Sequence, residues 1–215
     1  MKLQLLAFLL LISLHMQAQG FIESPFQDFS FGNLVVGDFD GDTRVDVLGI
    51  QFSSTNRIVL QVNNNAGAPG FTEKDLGLTL DVVGQPAAVD MDGDGELDVI
   101  VAAGANSDLF LLKNDGFANF TADSLGISGT FVLQAGDLNS DGNIDIVGIN
   151  TDNNDLHLYY NNGSQHFTPL VIPGFDNLEF LSLKDMDNDS DLDIVCGYDQ
   201  FSGKQITIYL NLGTA

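Results

Sequence analysis

Four times along the chain a knot of aspartates runs straight into an almost unbroken apolar stretch. The segments are GDFDGDTRVDVLGI (37–50), VDMDGDGELDVIVAA (89–103), GDLNSDGNIDIVGIN (136–150) and KDMDNDSDLDIVCGY (184–198). Each apolar stretch is too short for a helix and is bounded by Gly, Asp or Asn, which predicts buried strands. A second apolar or aromatic run follows each time and ends in Asn: IVLQVNNN to Asn65, LFLLKN to Asn114, LHLYYNN to Asn162 and ITIYLN to Asn211. Phe71, Phe120 and Phe167 then open a further stretch. The leading aspartates Asp38, Asp90, Asp137 and Asp185 are 52, 47 and 48 residues apart.

Each unit therefore predicts four short strands: one before the aspartate loop, one after it, the run ending in Asn, and one opened by Phe. A four-stranded unit at this period is a propeller blade, whereas a β-helix or sandwich would carry a different period. The expected fold is all-β, a β-propeller of four four-stranded blades over residues 20–215, either a closed ring or an open arc. The fourth unit ends after its third strand. Residues 21–26, FIESPF, begin with Phe like the other fourth strands, so they are the candidate to fill that place and clasp a ring.

Composition agrees with one domain: 215 residues, 44% of them hydrophobic, with 23 Gly and no Trp. Charge adds more. Seven Lys+Arg against 30 Asp+Glu give a formal net charge of -23, which excludes nucleic acid as a partner and would make a compact fold repel itself unless cations intervene.

The acids sit at fixed places of a nine-residue loop. In the first copy, oxygen-bearing side chains occupy places one, three, five and nine: Asp38, Asp40, Asp42 and Asp46. The equivalent sets are Asp90, Asp92, Asp94 and Asp98; Asp137, Asn139, Asp141 and Asp145; and Asp185, Asp187, Asp189 and Asp193. Calcium takes six to eight hard oxygen ligands, so a tight loop with alternating carboxylates and one backbone carbonyl can wrap it. The seventh place would give the carbonyl, from Arg44, Glu96, Asn143 and Asp191. About four Ca2+ ions are expected. An EF-hand would need a bidentate acid at the twelfth place, which here holds Gly49, Val101, Gly148 and Cys196. Ordinary Asp/Gly turns would need only one or two polar residues each. The sixth place is Gly95 and Gly142 in the middle copies but Thr43 and Ser190 in the outer ones, where a tight turn prefers Gly; this points to weaker outer sites. Asn139 lowers the charge of the third.

These units resemble FG-GAP, or VCBS, repeats, the calcium-binding blades of integrin α-subunit propellers and of many bacterial exported proteins. The resemblance covers most of residues 21–213. FGNLVVGDFDGD (31–42) is close to the motif that names the family, and GQP (84–86) is a fainter echo. It implies that each loop joins two strands of a blade on one face of the propeller, that calcium is chiefly structural, and that blade loops present adhesive or ligand-binding surfaces.

Residues 1–19 read as a signal peptide, with Lys2 ahead of an apolar stretch from Leu3 to Leu14 and a cleavage site after Met16-Gln17-Ala18. No later segment is long enough to span a bilayer, and no cysteine lies near the cleavage site for a lipid anchor. The expected location is secreted, extracellular or periplasmic. Cys196, the only cysteine, reads as a core residue. His157 and His166 belong to no catalytic pattern, so the chain is expected not to be an enzyme. Two functions remain open: a calcium-stabilised cell-adhesion or protein-interaction module, and a lectin-like propeller, alone or beside a polysaccharide-degrading enzyme. The ligand would be an extracellular protein or a glycan. Tyr159, Tyr160, Tyr198 and Tyr209 are the aromatics that keep the lectin reading open.

Overall fold

The computed structural model describes residues 31–51, 56–64, 70–150, 153–175, 178–200 and 203–213. The expected signal peptide and the FIESPF clasp lie outside the described residues. Among the described residues there are 15 strands and no helix.

The strands group in sequence order into four antiparallel sheets. Blade 1 holds β1 (Phe31–Gly37), β2 (Asp46–Gln51), β3 (Arg57–Asn63) and β4 (Phe71–Asp75). Blade 2 holds β5 (Ala87–Val89), β6 (Asp98–Ala103), β7 (Asp108–Asn114) and β8 (Phe120–Ser124). Blade 3 holds β9 (Thr130–Gly136), β10 (Asp145–Asn150), β11 (Leu156–Asn161) and β12 (Phe167–Ile172). Blade 4 holds β13 (Leu178–Lys184), β14 (Asp193–Gln200) and β15 (Gly203–Tyr209). The fold is a four-blade β-propeller. Every aspartate loop joins the first and second strands of its blade.

Burial follows strand order. The Val/Ile-rich second strands are covered on both faces, β6 along its whole length and β10 up to Asn150, so their sequences need no polar alternation. The fourth strands β8 and β12 are largely exposed after their opening Phe, and their polar residues fit that edge.

Three hydrophobic cores hold the blades in series. Between blades 1 and 2, Ile58 and Leu60 share a core with Val99 and Val101 around Phe39. Leu109 and Leu111 of blade 2 share the next with Ile146 and Tyr159 of blade 3. Leu156 and Leu158 of blade 3 share the last with Ile194 and Cys196 of blade 4, where the thiol is fully buried as expected. Two glycines permit the close approach: a Cβ on Gly37 would stand 2.5 Å from Leu97 Cδ1, and one on Gly136 would stand 2.6 Å from Leu192 Cδ1. No core joins blade 4 to blade 1 among the described residues.

Candidate metal centres

Each loop is organised from its first residue. Asp38 accepts hydrogen bonds from the backbone N–H groups of Gly41, Asp42 and Thr43, at 2.9, 3.1 and 2.7 Å. Asp90 accepts from Gly93 and Gly95, Asp137 from Asp141 and Gly142, and Asp185 from Asn188 and Ser190. The fifth-place carboxylates Asp42, Asp94, Asp141 and Asp189 each accept from the N–H two residues on. These are Asx turns, in which the carboxylate replaces a turn carbonyl. Sixth-place residues accordingly adopt the left-handed backbone, with φ of 70° at Thr43, 95° at Gly95, 86° at Gly142 and 81° at Ser190. The outer loops adopt the same turn as the inner ones and carry the strain of a Cβ there.

The turns gather acids in three loops. The carboxylate oxygens of Asp38, Asp40 and Asp42 lie within 4.8 Å of one another, as do those of Asp90, Asp92 and Asp94, and those of Asp185, Asp187 and Asp193. Each group could hold a metal ion, and an all-oxygen donor set suits a hard cation. In the third loop Asn139 stands among Asp137, Asp141 and Asp145, and its amide donates to Asp141 Oδ2 at 3.0 Å. Lys113 pairs with Asp92 and Arg44 with Asp42, so basic side chains already partner two of the clusters. Two seventh-place side chains touch a loop acid, Arg44 through its pairing with Asp42 and Asn143 through Nδ2, which donates to Asp141 Oδ1 at 2.8 Å, and all four make contacts beyond the cluster. Arg44 Nε donates to the Asn63 carbonyl at 2.7 Å, Asp191 accepts from Ser140 Oγ of the preceding blade at 2.8 Å, and Glu96 and Asn143 lie against Gly116 and Gly163.

The ninth-place aspartates do something the sequence did not reveal. Asp46, Asp98, Asp145 and Asp193 are all 0% exposed. In each, Oδ2 accepts the N–H of the loop's second residue: Phe39, Met91, Leu138 or Met186, at 2.7 to 3.1 Å. Oδ1 accepts the N–H of the Asn that ends the third strand: Asn63, Asn114, Asn161 or Asn211, at 2.7 to 2.8 Å. This clamp ties the loop to the blade's middle, and only Asp193 also joins a three-acid cluster. It also corrects the register: the repeating asparagines in blades 1 and 3 are Asn63 and Asn161, not Asn65 and Asn162. Their side-chain amides donate to the eighth-place carbonyls of Val45, Leu97, Ile144 and Leu192, and Asn114 and Asn211 reach as well to Phe39 and Leu138 of the preceding blade. The recurrence of Asn 16 to 18 residues after an Asp was the available signal.

The FG-GAP-like repeat model matches residues 38–101, 90–148 and 137–196, each match running from one aspartate loop through the next. The chain belongs to the FG-GAP-like repeat family. No curated protein sequence matches it. In this FG-GAP-like chain the matched stretches hold all four loops, so loop and blade form one repeating unit. No helix among the described residues is long and apolar enough to cross a membrane. Of the tyrosines considered for sugar stacking, Tyr159 is buried, whereas Tyr160 and Tyr209 are partly buried against the core between blades 3 and 4, Tyr209 meeting Phe175 edge-on. The side chain of Tyr198 is outside the described residues.

Burial pushes the carboxyls of Asp98 and Asp145 above the ordinary value, and burial together with neighbouring acids does the same at Asp40 and Asp187. A raised carboxyl stabilises the fold when protonated, and that contribution is lost as pH rises through the folded-state value. Asp92, held down by Lys113, and Asp115 and Asp141, held down by hydrogen bonds, act oppositely, but they titrate below the ordinary value of about 4. With divalent metal chelated, the melting temperature is therefore expected to be higher at pH 5 than at pH 7. A melting temperature that rises from pH 5 to pH 7 would contradict this assignment.

Proposed function

We propose that the chain is an exported, calcium-stabilised protein-interaction module that acts in adhesion outside the cell and catalyses no reaction. The observation that carries the reading is the recurrence of a three-carboxylate cluster in the same loop of three blades, at places one, three and five in loops 1 and 2 and at places one, three and nine in loop 4. Calcium bound there would neutralise clustered charge, with the first, third and fifth places and the seventh-place carbonyl as the available oxygens. The apolar stretch at residues 3–14 supports export, and free calcium is abundant outside cells. His157 supports a structural role over catalysis, since its ring packs on Tyr159 and its Nδ1 lies 3.1 Å from the Tyr159 hydroxyl. The burial of Tyr159 and the packing of Tyr160 and Tyr209 favour a protein partner over a glycan.

Titration calorimetry with calcium tests the reading. Loops 1, 2 and 4 are expected to bind with dissociation constants of roughly 0.1 to 1 mM, with the Asn139 loop weaker. Asp94→Ala should remove one site, because it deletes a cluster carboxylate. Thr43→Ala should leave the number of sites unchanged. A single site, with nothing further filled at millimolar calcium, would sink the proposal.

A further inference from the structure

We propose that the outer face of blade 4 is a docking surface for blade 1 of a second copy of this chain, joined head to tail. The inference stands independently of calcium and of the adhesive reading. It comes from comparing equivalent positions of the repeat. Five and three residues before the closing Asn, blade 1 has Ile58 and Leu60, 4% and 0% exposed; blade 2 has Leu109 and Leu111, both 0%; blade 3 has Leu156 and Leu158, 0% and 6%. These pairs bury against the following blade. Blade 4 places Ile206 and Ile208 there, and they are 74% and 45% exposed. The second loop place repeats the contrast: Phe39, Met91 and Leu138 are 0% to 5% exposed, and Met186 is 45%.

Blade 1 shows the converse. Four residues before the leading aspartate, Leu133 and Leu181 are 0% and 4% exposed and lie in the cores shared with the preceding blades, whereas Leu34 is 49% exposed and its neighbour Val36 55%. The eighth-place residues Leu97, Ile144 and Leu192 pack into those cores, and Val45 is 55% exposed. The two end faces thus carry the two halves of the interface that the chain already makes three times. They do not cover one another within the chain, because both are exposed at once.

Size matching points the same way. At two of the three internal interfaces the eighth-place side chain meets the residue before the preceding blade's aspartate loop: Leu97 seats on Gly37 and Leu192 on Gly136. At the ends the corresponding pair is Lys184 and Val45, the largest residue at its place and the smallest at its place. A heterologous contact of this kind, with different patches meeting, closes into a ring of copies or continues as a chain.

Light scattering on the eluted full chain in millimolar calcium is expected to give at least twice the 23.1 kDa chain mass. Ile206→Asp/Ile208→Asp on one face, or Leu34→Asp/Val36→Asp on the other, should each give a monomer of unchanged circular dichroism. Mixing the two variants restores one intact interface and should yield a dimer. Because a charged variant can fail to fold, Lys184→Cys and Val45→Cys on separate chains provide a second readout, a disulfide-linked dimer on oxidation. A monomer at about 100 µM, a mixture that stays monomeric, or a cross-link formed only within a chain carrying both cysteines would each overturn the proposal.

Discussion

Chelating calcium with EDTA is expected to lower the melting temperature by roughly 8 to 16 °C. Three loops bring carboxylate oxygens within 4.8 Å of one another. For the partly buried cluster of Asp38, Asp40 and Asp42, two like charges at that distance repel by about 3.5 kcal/mol at an effective dielectric of 20, before solvent and the Arg44 pairing reduce it. Calcium at ten times its dissociation constant would stabilise the folded chain by about 1.4 kcal/mol per site, or about 4 kcal/mol over three sites. For a domain of this size each kcal/mol moves the midpoint by roughly 2 to 4 °C. The chain's charge of -23 adds a diffuse repulsion that the ions also relieve. Differential scanning calorimetry with and without EDTA measures the shift directly, and an unchanged midpoint would remove the metal from the account of stability.

Asp98→Ala is expected to cost about 3 to 5 kcal/mol, whether or not calcium is present. Its carboxylate is fully buried and accepts the N–H groups of Met91 and Asn114 at 3.1 and 2.8 Å. Removing it strips two charge-assisted hydrogen bonds and leaves both buried donors without a partner. Asp94 offers the comparison, because it lies in the same loop but is exposed and belongs to the acid cluster. Asp94→Ala should destabilise the calcium-loaded protein and leave the chelated protein unchanged or slightly more stable, since it removes a like charge. Urea unfolding of both variants in calcium and in EDTA separates the roles. Equal losses for the two in EDTA would show that the ninth-place clamp is no stronger than an ordinary loop contact.

The strand order, the blade period and the loop positions were legible in the chain because they depend on neighbours in sequence. The apolar run Val99–Ala103 can only be an inner strand, and Phe71, Phe120 and Phe167 each open a fourth strand as their spacing implied. The left-handed turn at Thr43 and Ser190 was likewise readable, because the Asx geometry is set within six residues. Other features rest on groups far apart along the chain. That Asn63 and Asn161, not Asn65 and Asn162, repeat the pattern follows from which N–H reaches Asp46 and Asp145 once the strands pair. The tie from Asn114 to Phe39 spans 75 residues and exists only because two blades are packed together. Spacing alone made all four ninth-place aspartates metal ligands, but burial decides that each first serves two backbone donors. The sequence by itself determined four like units, each with a loop rich in hard oxygen donors, because periodicity and turn chemistry are local. Only the tertiary structure decided which loops gather three acids and which apolar faces stay uncovered, because those outcomes depend on register between strands and on whether a neighbouring blade is there to exclude water.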